Sequence, residues 1–341
     1  MENIPNHNYI MSRPDFADVI GVSPSMVIKW EKQGLKPEKV QYQNTSRRRY
    51  NINHVLEVRQ KFKPLPKRPC KSLVFWLLKG GVGKTTISFN LSCALSRMGY
   101  KVLAIDLDGQ SHLTTCFGIP NADEEKLKTV FDLLYGDDGP SNPKDVILNL
   151  SPTLDLIPAS LDTSALDFYL VLEKTPEAKF NRLRGIIDAF KNNYDFIIMD
   201  AAPNFNLLNI NALFASDEII APMLTDFLSH HSVSLLYETI AQMASAFKET
   251  AFEFPKIRLL ANHFDVRNKL CQESLGRLRM GQSANEVLDT VIHLSAALAE
   301  STKQMRPVFT FDPRSTGAAD INALAHEILG EKITQEPVDE K

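Results

Sequence analysis

Eight consecutive residues, Lys79-Gly80-Gly81-Val82-Gly83-Lys84-Thr85-Thr86, have the types and spacing that phosphate chemistry requires. Glycines let backbone N–H groups converge on anionic oxygens, and a helix starting at the end of the loop adds its partial positive charge. Lys84 is placed to reach β- and γ-phosphates, and the Thr85 hydroxyl is a ligand for Mg²⁺. Two acidic positions complete the set. Asp106 and Asp108 end the apolar run from Val102, and Asp200 ends the apolar run from Phe196. A carboxylate that ends an apolar strand can hold Mg²⁺ through water, and no motif for a second substrate is present, so the chemistry read here is Mg²⁺-dependent phosphoryl transfer from a nucleoside triphosphate to water.

These groups need a scaffold that brings loop and carboxylates to one edge. Strand candidates fall at 72–78, 101–106, 154–158, 196–200, 218–222, 258–262 and 290–293, with helical spacing between them, as in 178–192, 227–249 and 316–328. The strands are continuous apolar runs, which marks a parallel sheet covered on both faces. The fold class that follows is α/β, a doubly wound, mostly parallel sheet with the nucleotide at the carboxyl ends of its strands.

The octet has Leu78 where the common phosphate-loop pattern has its first glycine, and it carries an additional lysine, Lys79. This form resembles the deviant-Walker ATPases of the ParA/MinD class, over about residues 72–330. The resemblance implies that Lys79 crosses a nucleotide-sandwich homodimer to the partner's phosphates. It also implies that Asp108 activates water, that Asp106 supports the Mg²⁺ shell and Lys84, and that Asp200 holds Mg²⁺ through water. Residues 79–86 would hold the ATP or ADP phosphates, with Asn262 and Pro313 carried over as contacts to the adenine. Gly109 stands where the family usually has proline.

The first 70 residues hold 13 lysines and arginines against 6 acidic residues, although the whole chain carries a net charge of −3. A basic head on an acidic body suggests a polyanionic partner. Helical spacing from Pro14 stops at Gly21, and Ser23-Pro24 opens a second helix that ends near Gly34. A basic turn follows at 44–50, then another helix over about 53–62. This is a helix-turn-helix pattern, and residues 9–62 resemble the winged helix of MerR-type regulators, with Trp30 in place of the usual tyrosine pair. DNA-contact candidates are Ser25, Lys29 and Lys32 on the second helix and Arg47, Arg48 and Arg49 on the wing.

Three prolines, Pro64, Pro66 and Pro69, mark a connector. The expected organisation is a winged helix-turn-helix over 1–62, a linker over 63–70, the ATPase over 71–330 and a polar tail over 331–341. The combination resembles the larger partition ATPases. It implies an ATP-bound dimer that binds DNA non-specifically, a ParB-like centromere-binding partner, and operator repression through the head; a ParA-like ATPase that positions a protein cargo, or an ATP-regulated transcriptional repressor, is the alternative. No apolar run is long enough to cross a bilayer, the end of the chain is acidic rather than basic and amphipathic, and four scattered cysteines suit a reducing cytoplasm. The expected location is therefore cytoplasmic, on the nucleoid and not on a membrane.

Overall fold

In the computed structural model the described residues are 9–42, 45–119, 127–136, 139–225, 229–246, 254–280 and 284–331. The chain opens with helices Arg13–Ile20 and Pro24–Lys32. An antiparallel hairpin follows, β1 (Glu38–Tyr42) with β2 (Thr45–Arg49), and then helix Ile52–Lys61. Ser12 caps the first helix in a reciprocal capping box with Asp15, and Gly21 ends it in the left-handed conformation. Pro24 sits at the first turn of the second helix, where its missing N–H costs nothing.

An eight-stranded sheet forms the body: β3 (Lys71–Phe75), β4 (Val102–Asp106), β5 (Leu148–Ser151), β6 (Leu154–Ile157), β7 (Phe196–Asp200), β8 (Glu218–Leu224), β9 (Lys256–Phe264) and β10 (Val287–His293). The spatial order is β10-β9-β8-β3-β7-β4-β6-β5. Every pairing is parallel except that of the edge strand β5 with β6. Both faces of the sheet are covered. Leu73, Phe75, Val102 and Ala104 join one apolar cluster, while Val74, Trp76, Leu103 and Ile105 join the other, as the two-residue period of a strand requires.

All seven expected strands form. β5 is additional, a four-residue edge strand too short and polar to read as one. The helix expected over 178–192 is divided into Pro176–Phe180 and Arg182–Phe190 at Asn181. Asn211 explains the break: its Nδ2 donates to the Lys179 carbonyl at 2.8 Å and its Oδ1 accepts from the Leu183 N–H at 3.3 Å, replacing helical bonds on either side. The helix expected over 227–249 is described as Ser229–Ala246. The tail beyond Glu331 lies outside the described residues.

The N-terminal unit shares the first apolar cluster. Tyr9, Phe16, Val55 and Val58 pack in it with Phe89, Cys93 and Met98. Arg59 fastens the contact, with Nε donating to the Met98 carbonyl at 3.0 Å. Arg97, also buried at the seam, donates to Asn322 Oδ1 at 3.1 Å and lies over the Phe309 ring. The unit therefore sits on the far end of helix Lys84–Arg97, whose near end begins at the glycine-rich loop.

Candidate active site

Strands β3, β7 and β4 are neighbours, and their carboxyl ends carry the chemistry. In register Phe75 lies opposite Asp200, and Asp200 lies opposite Asp106. The loop from Lys79 to Gly83 leaves the end of β3 and enters helix Lys84–Arg97. Gly83 caps that helix with φ +88, a conformation open to glycine, and a β-carbon there would lie 2.4 Å from Asn262 Nδ2.

Lys84 is buried, and its ammonium lies 3.3 Å from the carbonyl oxygens of Leu77 and Lys79. Burial lowers its pKa, while the nearby Asp200 and Asp108 charges favour the cation. Lys79 is half-buried at the mouth of the loop. Gly80 faces the Pro203 ring of the turn after β7, and Val82 is buried beneath the loop. Thr85 donates its hydroxyl proton to Asp200 Oδ2 at 2.6 Å, and the Thr86 carbonyl accepts from Asn90 Nδ2 at 2.9 Å.

Both strand-end aspartates are buried, and burial raises their pKa values, Asp106 to about 6 and Asp200 to about 7. Their mutual repulsion adds to this for Asp200. The two differ in what they hold. Asp106 Oδ2 accepts from the Thr114 N–H and hydroxyl, each at 2.8 Å, and Oδ1 accepts from the Asp108 N–H at 3.1 Å. Asp200 Oδ1 is buried with no donor at hydrogen-bond distance; the nearby Ser88 hydroxyl, which favours the charged carboxylate, donates to the Thr85 carbonyl at 3.1 Å. Asp106 thus closes the 108–114 turn, and its oxygens keep lone pairs for the Mg²⁺ shell in which the resemblance places it. An unpartnered carboxylate oxygen beside the Thr85 hydroxyl fits a hard cation, which takes oxygen donors and completes its shell with phosphate and water.

Asp108 lies beyond the end of β4, half-buried, with Oδ1 accepting from the Gln110 N–H at 3.0 Å. The glycine after it has a steric cause. A β-carbon on Gly109 would lie 2.0 Å from Ser164 Oγ, so the segment Leu161–Ala165 leaves no room for the usual proline.

Asn262, at the end of β9, is buried, and its Nδ2 donates to the Val82 carbonyl at 2.7 Å. It braces the phosphate loop from below with one of its two amide N–H donors. Pro313 is exposed in the turn that precedes helix Thr316–Ile328. Asn209 was not read from the sequence. Its Nδ2 donates to the carbonyls of Ala202 (3.0 Å) and Asn204 (2.8 Å), fixing the turn after Asp200. Nothing in a lone asparagine within an apolar helix signals this role.

The remaining site candidates lie apart, in the N-terminal unit. Ser25, Lys29 and Lys32 are exposed along helix Pro24–Lys32, whereas Trp30 is buried and stacks on Phe62 at 5.4 Å. Arg47, Arg48 and Arg49 follow one another on β2.

Comparison with known proteins agrees with this geometry. A family model described as an AAA domain matches residues 70–252. The cell division protein PomZ of Myxococcus xanthus is 32% identical over 93% of this chain and 92% of its own length. The chain belongs to the ParA/MinD-type P-loop ATPases. The sporulation initiation inhibitor protein Soj of Bacillus subtilis is 34% identical over 73% of this chain and 94% of its own. Among solved structures, apo McdA from Cyanothece aligns with a TM-score of 0.64 at 23% identity, covering 76% of this chain and all of that one. A putative plasmid partition protein from Borrelia burgdorferi, bound to AMPPNP, aligns at 0.60 and 22%, covering 76% and 99%. This ATPase therefore belongs with proteins of partition and positioning. No helix among the described residues is long and apolar enough to cross a membrane.

Proposed function

We propose that this protein is a DNA-segregation ATPase, a switch that hydrolyses ATP to ADP and phosphate in a nucleotide-sandwich homodimer. The observation that carries this reading is the meeting of three groups at one sheet edge. These are the lysine-bearing loop, the unpartnered Asp200 oxygen at its base and Asp108 at its rim. Residues 79–86 hold the phosphates and Lys84 offsets their charge. Lys79 serves the partner's nucleotide, and Asp108 orients the water. Thr85 and Asp200 hold Mg²⁺, which when bound neutralises charge on the phosphate oxygens. Asp106 acts at one remove, by fixing the 108–114 turn so that it can respond to the γ-phosphate. A solved structure of the same fold, a cobyrinic acid a,c-diamide synthase from Mycobacterium smegmatis, holds an ATP analogue and magnesium, which supports nucleotide and Mg²⁺ as the bound species.

In this reading the ATP-bound dimer binds DNA non-specifically, and a ParB-like partner on a centromere-like site stimulates its hydrolysis. Residues 1–62 form a winged helix-turn-helix that binds the operator and represses the operon. Two short helices joined by Gly21-Val22-Ser23, followed by a basic hairpin, support that part. A second reading is favoured by one specific observation. The match to PomZ, which is named a cell division protein and not a partition protein, takes in 93% of this chain. On that reading the same ATPase cycle positions a protein cargo on the nucleoid.

Turnover of Mg–ATP with and without random-sequence DNA tests the proposal. Stimulated turnover and ATP-dependent retention on DNA are expected. Turnover indifferent to DNA, with no ATP-dependent retention, overturns the DNA-segregation reading.

A further inference from the structure

Glu31 is a carboxylate placed where the head's elements converge. Only 8% of its side chain is exposed, and donors from three residues reach it. From the first helix, Arg13 donates Nη2 to Oε1 at 3.2 Å and Nε to the same oxygen at 3.3 Å. From β2, Arg48 donates Nη1 to Oε2. Just after β2, the Tyr50 hydroxyl donates to Oε1. Tyr50 is itself buried and stacks on Phe16 at 4.3 Å. A carboxylate held this way by charged donors is a strong point of attachment, because removing a donor leaves a nearly buried charge less well matched.

The strand period sorts the three arginines. Residues two apart share a face of a strand, so Arg48 sides with Tyr50, toward Glu31. Arg47 and Arg49 lie on the other face, across from Val40 and Glu38 in register. Three adjacent arginines that look equivalent in the sequence therefore divide into one turned toward the helix and two turned away from it.

We propose that Glu31 is a positioning residue that fastens the hairpin to helix Pro24–Lys32, and that Arg48 is its strut rather than a nucleic-acid contact. Arg47 and Arg49 are then the hairpin residues that meet the phosphodiester backbone. The nucleic-acid half of this inference rests on the reading of the N-terminal unit as DNA-binding. The strut half does not.

The test has two arms on the full-length, nucleotide-free protein. In the first, binding to a random-sequence DNA duplex is followed by anisotropy across a salt series. Each phosphate contact contributes about 0.9 to the slope of log K against log salt. Arg47→Gln and Arg49→Gln should each flatten the slope by about 0.9, whereas Arg48→Gln should weaken binding along a parallel line. Equal flattening by Arg48→Gln, or unchanged slopes for the other two, overturns the sorting. In the second arm, amide exchange is measured without DNA. Glu31→Gln and Arg48→Gln should each speed exchange across residues 45–49 by about tenfold or more. Unchanged exchange in both variants overturns the strut. If the wild-type protein shows no salt-dependent DNA binding, the DNA reading of this unit falls, and the exchange arm alone decides the role of Glu31.

Discussion

Lys84 and Arg48 are both cations in short, strongly patterned stretches, and they are held in opposite ways. Lys84 is 7% exposed, placed as the first residue of its helix and by loop carbonyls of its own strand–loop–helix unit. Arg48 has 46% of its side chain in solvent and is placed by a single carboxylate 17 residues away. A buried cation set by backbone geometry has one function available to it. An exposed cation on a hairpin has several, and only its partner shows which one it serves. Local backbone geometry thus makes the phosphate site readable residue by residue, whereas the basic head is readable only as a charge balance.

Substitutions can break that contrast. The largest effect should come from Lys84→Ala, which removes the loop's cation while leaving the strand and helix in place. Nucleotide affinity measured by calorimetry should fall by roughly a hundredfold or more, about 2.7 kcal/mol. Near-normal binding would mean that the loop's N–H groups suffice and that burial of Lys84 is structural. Asp108→Ala comes next. Nucleotide binding should persist while turnover falls by roughly 10²–10⁴-fold, the range for a residue that manages a proton or water. Wild-type turnover in this variant would move catalysis elsewhere.

The third prediction concerns pH. The strand-end carboxylates have folded pKa values raised by burial, to about 6 for Asp106 and about 7 for Asp200. A raised value means that the folded state binds protons more readily than the unfolded chain. The stability from these groups is therefore full below about pH 4 and is lost as pH rises through 6 to 7. Metal- and nucleotide-free protein should be more stable at pH 5.5 than at pH 8 by on the order of 1–3 kcal/mol in denaturant titrations, and Asp200→Asn should flatten that difference. An unaltered pH profile in the variant would remove the buried pair as its cause.

The smallest effect probes the head's seat on the body. A β-carbon on Gly99, where φ is +98, would lie 3.2 Å from both Val55 and Arg59 of the head. Gly99→Ala should lower stability by roughly 1–2 kcal/mol, and heat denaturation should show the loss. A neutral substitution would show that the two units are merely adjacent.

Much of this site could be read before the structure because strand ends and a glycine-rich turn leave few choices. The octet at 79–86, Asp108 and Asp200 fall where the sequence reading placed them along the chain. Other roles needed contacts between distant segments. Asn262 is 180 residues from Val82, and no local pattern shows that it supports the loop. Asp106 and Asp200 both end apolar strands, and only the hydrogen bonds from Thr114 separate a turn-closing carboxylate from one with a vacant oxygen. The replacement of proline by Gly109 became intelligible once Ser164, 55 residues later, was seen against it. The divided helix at Asn181 depends in the same way on Asn211.

The central claim is that two copies share their catalytic groups, each lending Lys79 to the other's nucleotide. Mixing two inactive variants, Lys79→Ala and Asp108→Ala, tests this most directly by steady-state ATP turnover. If Lys79 acts across the dimer and Asp108 within its own subunit, the mixed dimer contains one complete site, and turnover returns on mixing. Turnover that stays at the level of the separate variants, in a mixture shown to form mixed dimers, would contradict the shared site.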